Sequence, residues 1–481
     1  MKLSGTRKWA GILMECAIAL ATGCLLAFFL QWLFGEEFST REQARVYAPI
    51  AGAEYGDGRR DDIRVLLIDD AALAAAGQVW PARYSYSARL LGAIALYKPK
   101  AVFVDVYFSA LRDDPSLPAL LRALCAMREQ GIPLFMASVQ NGAGHYALRP
   151  EIDALAGNCF DKVGIEFMPD EIDRVAWNYQ LTVGRNSNVA APMDSAALAL
   201  YRAAGGAPVS VDQRPLALTW GSRSVTRGLA WLDSASPDAA TYCRSSAGVG
   251  ELMPPGLLNA FYGDAEKPLC VFHETLYAGE LANTTPEREA SLRHDIEGKI
   301  VLVGLGTTDS GDFVHSPLHG RIPGVFLHAM ALDNLLTHGE DYPRHMSLRY
   351  DRSQAPLFLF LFICMTSMVL VSRLLRPWIE RQAGEKILSN PVEFVVSHPR
   401  LQQGRLAPLA RLGVLLLIWV VRPCAIVAAG YAMVWVGQHY FGLGVLSVVG
   451  IIFLTLVAEW FELNQKIRRC LAPGAKTEQS S

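Results

Sequence analysis

Four apolar segments, one near the amino terminus and three near the carboxyl terminus, bracket about 320 residues of mixed polar and apolar character. Residues 9–34 carry strongly polar side chains only at Glu15 and Gln31, and the stretch exceeds the about 20 residues needed to cross a hydrocarbon core. The later segments are residues 355–375, 412–436 and 441–461. The pattern predicts four transmembrane helices and one large domain displayed on one side of a bilayer. A cleaved signal peptide is the competing reading of the first segment. Its apolar stretch is too long for such a leader, and no small-x-small site precedes Glu36.

Basic flanks give the orientation, because Lys and Arg accumulate on the cytoplasmic side. Lys2, Arg7 and Lys8 place residues 1–8 inside. The second segment is followed by Arg373, Arg376, Arg381, Lys386, Arg400, Arg405 and Arg411, which place the loop 376–411 inside. The last two segments form a hairpin about Gly437, Gln438 and His439, leaving the tail 462–481 inside with Lys466, Arg468 and Arg469. Residues 35–60 and 341–354 are then linkers to an exported domain over residues 61–340.

Composition agrees, with 51% hydrophobic and 19% charged residues. A net charge of -2 gives no sign of nucleic-acid binding. Of nine cysteines, Cys125, Cys159, Cys243 and Cys270 fall in the exported part, where disulfides persist. No CxxC spacing points to zinc or to thioredoxin-like redox chemistry. Four cysteines allow three pairings. Cys243 with Cys270 is the expected bridge, since both lie in one loop-rich stretch. Cys125 with Cys159 is the second, although Cys125 also suits a small core position.

The exported domain alternates strand and helix. The apolar run from Ile63 to Ile68 reads as a strand ending in Asp69 and Asp70, and residues 86–97 repeat Leu90, Leu91, Ile94 and Ala95 at helical spacing. A strand over 101–108, a helix bearing Leu117, Leu120, Leu121 and Leu124, and a strand over 132–139 follow, with Asp114 before Pro115 as the expected N-cap. Two strands between 162 and 183, a helix over 193–204 and a strand near 216–220 come next. Residues 221–295 carry no assignable pattern. A strand over 299–303 turns through Gly304 and Gly306, and an apolar helix ends near Leu336. This alternation implies right-handed βαβ units and a three-layer α/β domain with a mostly parallel sheet.

The stretches IRVLLIDDAAL, WPARYSYSARLL, KAVFVDVYFS and GKIVLVGLGTTDSGDFVHSPLHGRIPGVFLHAMALDNLL, in this order and membrane context, resemble the type-2 CHASE domain. The resemblance implies an extracellular sensory module with one span before it and three after, passing a signal to a kinase, cyclase or phosphodiesterase output. The chain departs from that pattern in having only about twenty residues after the last segment and a loop of about 36 residues between the second and third.

In open α/β sheets ligands sit outside the carboxyl ends of strands. Asp69, Asp105, Gly304, Gly306, Thr307 and Thr308 fall there and form the expected ligand edge. Converging carboxylates at such an edge position a metal or do acid/base work; equally, Asp69 and Asp105 would accept backbone hydrogen bonds and lock the sheet edge. GLGTT lacks the Lys of a phosphate loop. His315, His319 and His328, with Asp309 and Asp312 upstream, match no zinc signature, and His328 suits hydrogen-bonded packing. Ser195 and Ser310 have no base partner in view. No cofactor is implied. In the membrane, Arg422 pairs with Glu15 or snorkels alone beside Pro423.

The expected function is reception of a small extracytoplasmic ligand and relay to a cytoplasmic or membrane signalling protein. The loop 376–411 is either a docking face or a membrane-surface segment, and a homodimer stays open. Two other functions remain in contention: a hydrolytic enzyme using the Asp69/Asp105 edge, and a ligand-free scaffold of an envelope assembly.

Overall fold

A computed structural model describes residues 36–184, 192–211, 214–223, 243, 269–282, 285–307, 311–345, 363 and 432–444. The expected spans therefore lie almost wholly outside the described residues, as do Glu15, Arg422 and Thr308. Among the described residues no helix is long and apolar enough to cross a membrane. The chain divides into two compact units, Ala44–His345 and the flanks Met1–Gln43 with Met346–Ser481.

In the flanking unit, residues 432–441 are helical. The helix runs through Gly437, Gln438 and His439, where a hairpin was expected, and ends before Gly442, whose φ of 58° suits glycine. The Leu443 N–H donates to the Gly437 carbonyl at 3.1 Å and closes this end.

The other unit is built on a parallel sheet. Helix α1, Glu36–Glu54, leads into it, and β1, Ile63–Ile68, follows. Next come α2, Asp70–Ala75, α3, Tyr84–Ala95, β2, Ala101–Val104, and α4, Leu117–Glu129. The run β3, Leu134–Gln140, β4, Tyr146–Ala147, α5, Pro150–Asp153, and β5, Asp161–Gly164, completes one side of the sheet. Short pairs β6, Asn178–Tyr179, β7, Thr182–Val183, β8, Met193–Asp194, and β9, Leu216–Ala217, surround α6, Ala196–Ala203. The end comprises β10, Thr275–Tyr277, α7, Pro286–Ile296, β11, Ile300–Leu305, the hairpin β12, Phe313–Ser316, with β13, Gly320–Pro323, and α8, Val325–His338.

The sheet order is β10-β1-β11-β2-β3, all parallel, with β3 also pairing β5 in parallel and β4 antiparallel. Alternation along each strand separates two faces. Leu66, Ile68, Val102, Val104, Val301 and Val303 pack with Leu90, Leu91 and Ile94 of α3, Leu120 and Leu124 of α4, and Leu292 of α7. The opposite face carries Phe103, whose ring meets that of His328 on α8 at 5.4 Å. Gly304 belongs to β11 rather than to the expected turn. A Cβ there would lie 2.4 Å from that of Val325, so its role is close approach of α8 to the sheet.

Several boundaries differ from the sequence reading for identifiable reasons. Asp114 does not cap α4, whose N-cap is Ser116. Instead Asp114 accepts the Tyr84 N–H at 2.8 Å while Ser116 Oγ accepts that of Ser85 at 2.9 Å, so the pair caps α3 across the fold. The second strand stops at Val104, although the Asp105 N–H still donates to Val303 O at 2.7 Å. Met193 and Asp194 form a strand, and Ser195 caps a helix that begins at Ala196. The linker over 35–60 is largely helix, and Tyr47, Ala48, Ala51 and Tyr55 are buried in the domain. In the stretch left unassigned, β10 adds an edge strand to β1, and α7 starts with the Thr285 cap and Pro286.

Candidate functional site

The carboxyl ends of β1, β11 and β2 present Asp69, then Gly306 and Thr307, then Asp105. Asp69 caps α2, its Oδ1 accepting the Ala72 N–H at 2.9 Å, and burial raises its pKa. Its charge, after burial, also raises the phenol pKa values of Tyr86 and Tyr277. Asp105 lies among different groups. It is 6% exposed and Thr307 is fully buried. Asp69 and Asp105 each follow a separate strand, with β11 between them.

Asp105 belongs to a closed cluster under α8. His328 Nε2 stands 3.7 Å from Asp105 Oδ2, beyond hydrogen-bond reach, and that oxygen has no hydrogen-bond partner. On the other side of the ring, His328 Nδ1 and the Tyr179 hydroxyl are 2.7 Å apart. Burial drives the His328 pKa down to about 3, so the imidazole is neutral near pH 7. Burial first and the Asp312 charge second hold Asp105 well above the usual carboxylate range. Asp312 itself is pushed up to about 6 by burial. A Tyr–His–Asp chain of this kind can shift a proton, but it is sealed from bulk solvent. A displacement of about 1 Å would convert the His328–Asp105 approach into a hydrogen bond.

Further along α8 lies a second polar group. Asp333 accepts from the Tyr55 hydroxyl at 2.6 Å and meets His273 Nε2 at 3.1 Å. Asn334 accepts the Thr219 N–H and donates to its carbonyl, both at 3.0 Å. The sequence reading missed these partners. A signal was present: α8 is apolar around most of its circumference, so it is buried, and polar residues inside such a helix need partners. Which residues supply them is a tertiary fact that no spacing encodes.

The other candidates are dispersed. His319 is buried beside Trp220 with Nδ1 3.3 Å from Leu269 O, and burial lowers its pKa to about 4. His315 is exposed on β12. Among the described residues no group of three His, Cys, Asp or Glu could hold a metal, and Asp309 and Ser310 lie outside them. Ser195 is buried and its Oγ accepts the Leu198 N–H. The structure pairs Cys125 with Cys159 and Cys243 with Cys270.

Comparisons with curated proteins and with solved structures gave no match. The CHASE2 domain model matches residues 16–369, more than half of the 481 residues and extending past the compact unit on both sides. The chain therefore belongs to the CHASE2 domain family, a family of extracellular sensory domains.

Proposed function

We propose that this protein is a multi-pass receptor of a bacterial inner membrane. It displays residues 61–340 outside the cytoplasm, senses a small ligand at the edge of Asp69, Asp105, Gly304, Gly306, Thr307 and Thr308, and passes its state to a separate signalling protein. Family membership supports the sensory role, and two disulfides within the domain suit an oxidising compartment.

The observation that carries the relay is the placement of α8. At one end its His328 stands against Asp105 at the sheet edge. Farther along, Asp333 holds Tyr55, just after α1, where the chain enters the domain. Asn334 holds Thr219 beside β9, and the exit segment is zipped to that region through Ala217 N–H to Pro343 O at 2.8 Å and His345 N–H to Pro215 O at 2.9 Å. A ligand reaching Asp105 and Thr307 has to move α8. Such a ligand favours the moved state only through its differential affinity, and the movement then acts on both chain ends at once.

Inside the cell, the loop 376–411 is the proposed contact, with Trp378, Ile379, Ile387, Phe394 and Val395 interleaved with basic residues. A photo-crosslinking amino acid placed at Trp378 or Phe394 in the native membrane is expected to capture a protein partner. Deletion of residues 380–405 is expected to abolish signalling and capture at Trp378 while membrane insertion persists. Crosslinks to lipid alone, together with normal signalling by the deletion, would reject a partner at this loop.

A further inference from the structure

Just before β12, the segment Gly311–Asp312 lies against the start of α8. The Gly324 N–H, on the residue that opens α8, donates to the Asp312 carbonyl at 3.1 Å and closes this end of the hairpin. A Cβ at Gly324 would lie 3.0 Å from the Asp312 carboxyl carbon, so the carboxyl group abuts the backbone where the helix begins. On its other side is Gly311, exposed and with a φ of 67°, a conformation that suits glycine. Asp312 itself is half-buried, whereas Asp105 and His328 are only 6% and 4% exposed. Of these three ionisable groups, Asp312 is the one within reach of protons from solvent.

The groups around it set the sign of its response. Asp105 stands at the end of β2, His328 on α8 and Tyr179 on β6, where the Asp105 charge, after burial, raises the phenol pKa. On the hairpin, Arg321 stacks over the Phe313 ring at 3.8 Å and His315 is exposed. Burial pushes the Asp312 pKa up to about 6, and Asp105 is held well above the usual carboxylate range by burial and by the Asp312 charge. Two neighbouring buried carboxyl groups resist ionising together, so near neutral pH the pair carries one charge, placed on the more exposed Asp312.

We propose that Asp312 is a proton-operated latch: protonated, it docks the Gly311–Asp312 segment against the start of α8, and ionised, it releases that segment to water about Gly311. A released, solvated carboxyl group returns to a pKa of about 3.9. Docking is therefore fully favoured below about pH 4 and is lost as pH rises through about 6. Two pKa units correspond to a shift of about 100-fold in the docking equilibrium. His328 and His319, lowered to about 3 and 4 by burial, act with the opposite sign, since acid favours their exposure. Because α8 also stands against Asp105, the latch regulates the proposed ligand edge, and it rests on the receptor reading for the extracytoplasmic origin of the protons.

The test is hydrogen exchange of the full chain in lipid nanodiscs between pH 4 and 7.5, expressed as protection relative to an unstructured peptide at the same pH. The Gly324 amide is expected to gain up to about 100-fold in protection from pH 7 to pH 4, with no such gain across α4. Asp312→Asn, uncharged throughout, is expected to hold the docked level at every pH. Asp161→Asn, which removes an exposed ion pair with Arg128, is expected to respond as the wild type does. A flat wild-type profile, or a response that survives in Asp312→Asn, would overturn the proposal, and the wild-type profile carries the test alone if Asp312→Asn does not fold. Exchange in nanodiscs is indifferent to which side of a membrane the domain occupies, so a flat profile would remove the latch and leave the receptor reading standing.

Discussion

The two faces of the central sheet are covered by helices that differ in what they add to apolar burial. Against one face, α3, α4 and α7 bring Leu90, Leu91, Ile94, Leu120, Leu124 and Leu292 to a continuous apolar layer. Against the other, α8 brings His328, Asp333 and Asn334, all buried. The apolar face is held by burial, which is non-directional and indifferent to pH. The α8 face buries apolar residues too, Val325, Met330 and Leu332 among them, and adds hydrogen bonds with strict geometry and ionisable groups kept away from their preferred charge state. The first face is suited to keeping the domain folded, and the second to having two states that a ligand or a proton can choose between.

The largest expected effect separates the faces by mechanism. Asp333→Ala strands the Tyr55 hydroxyl and the His273 ring, and is expected to destabilise the domain by about 3–5 kcal/mol. Leu120→Ala on the other face is expected to lose about 2–5 kcal/mol by leaving a cavity. Urea titration of both variants at several pH values checks the distinction. The Leu120 deficit should stay constant between pH 4 and 8.

His328 should dominate the acid side. Its folded pKa of about 3 lies below the ordinary value of about 6.5, so the unfolded chain binds a proton that the folded one excludes. Stability is fully present above about pH 6.5 and declines as pH falls toward 3. Its contribution to the slope approaches about 1.4 kcal/mol per pH unit. His328→Gln is expected to remove about one proton from that slope, while His319, with the same sign, keeps its own share. An unchanged slope would mean that His328 is protonated in the fold.

Asp312 should act in the opposite direction. Its folded pKa of about 6 exceeds the usual carboxylate value of about 3.9, so stability falls as pH rises between the two. Asp312→Asn is expected to stabilise the protein above pH 6 by up to about 3 kcal/mol and to be neutral below pH 4. Because Asp105 senses Asp312, the pair is best followed by its combined proton uptake. The smallest effect belongs to Tyr55→Phe, which removes one hydrogen bond to Asp333 and is expected to lose about 1–3 kcal/mol. It should also weaken any ligand-induced change in hydrogen exchange across α1.

The apolar face was readable from sequence because its signal is local. The run Ile63–Ile68 became β1 without a shift, and Leu90, Leu91 and Ile94 at helical spacing became the buried side of α3. The α8 face was only partly readable. Asp105 and His328 stood out as polar residues in apolar surroundings, but Tyr179 reaches His328, and Tyr55 and His273 reach Asp333, over separations of 60 to 278 residues. Helix α7 escaped notice because it is a largely polar surface helix that buries little beyond Leu292, Asp295 and Ile296.

A receptor of this kind requires the domain to lie outside the cytoplasm, and fusion topology reads that directly. Alkaline phosphatase inserted within residues 221–295 is expected to be active, as befits an exported domain, whereas fusions after Arg381 or Lys466 are expected to be inactive. High activity after Arg381 would place the loop 376–411 outside the cytoplasm and contradict the four-span receptor; an inactive fusion within residues 221–295, in a protein shown to be inserted and folded, would contradict it outright.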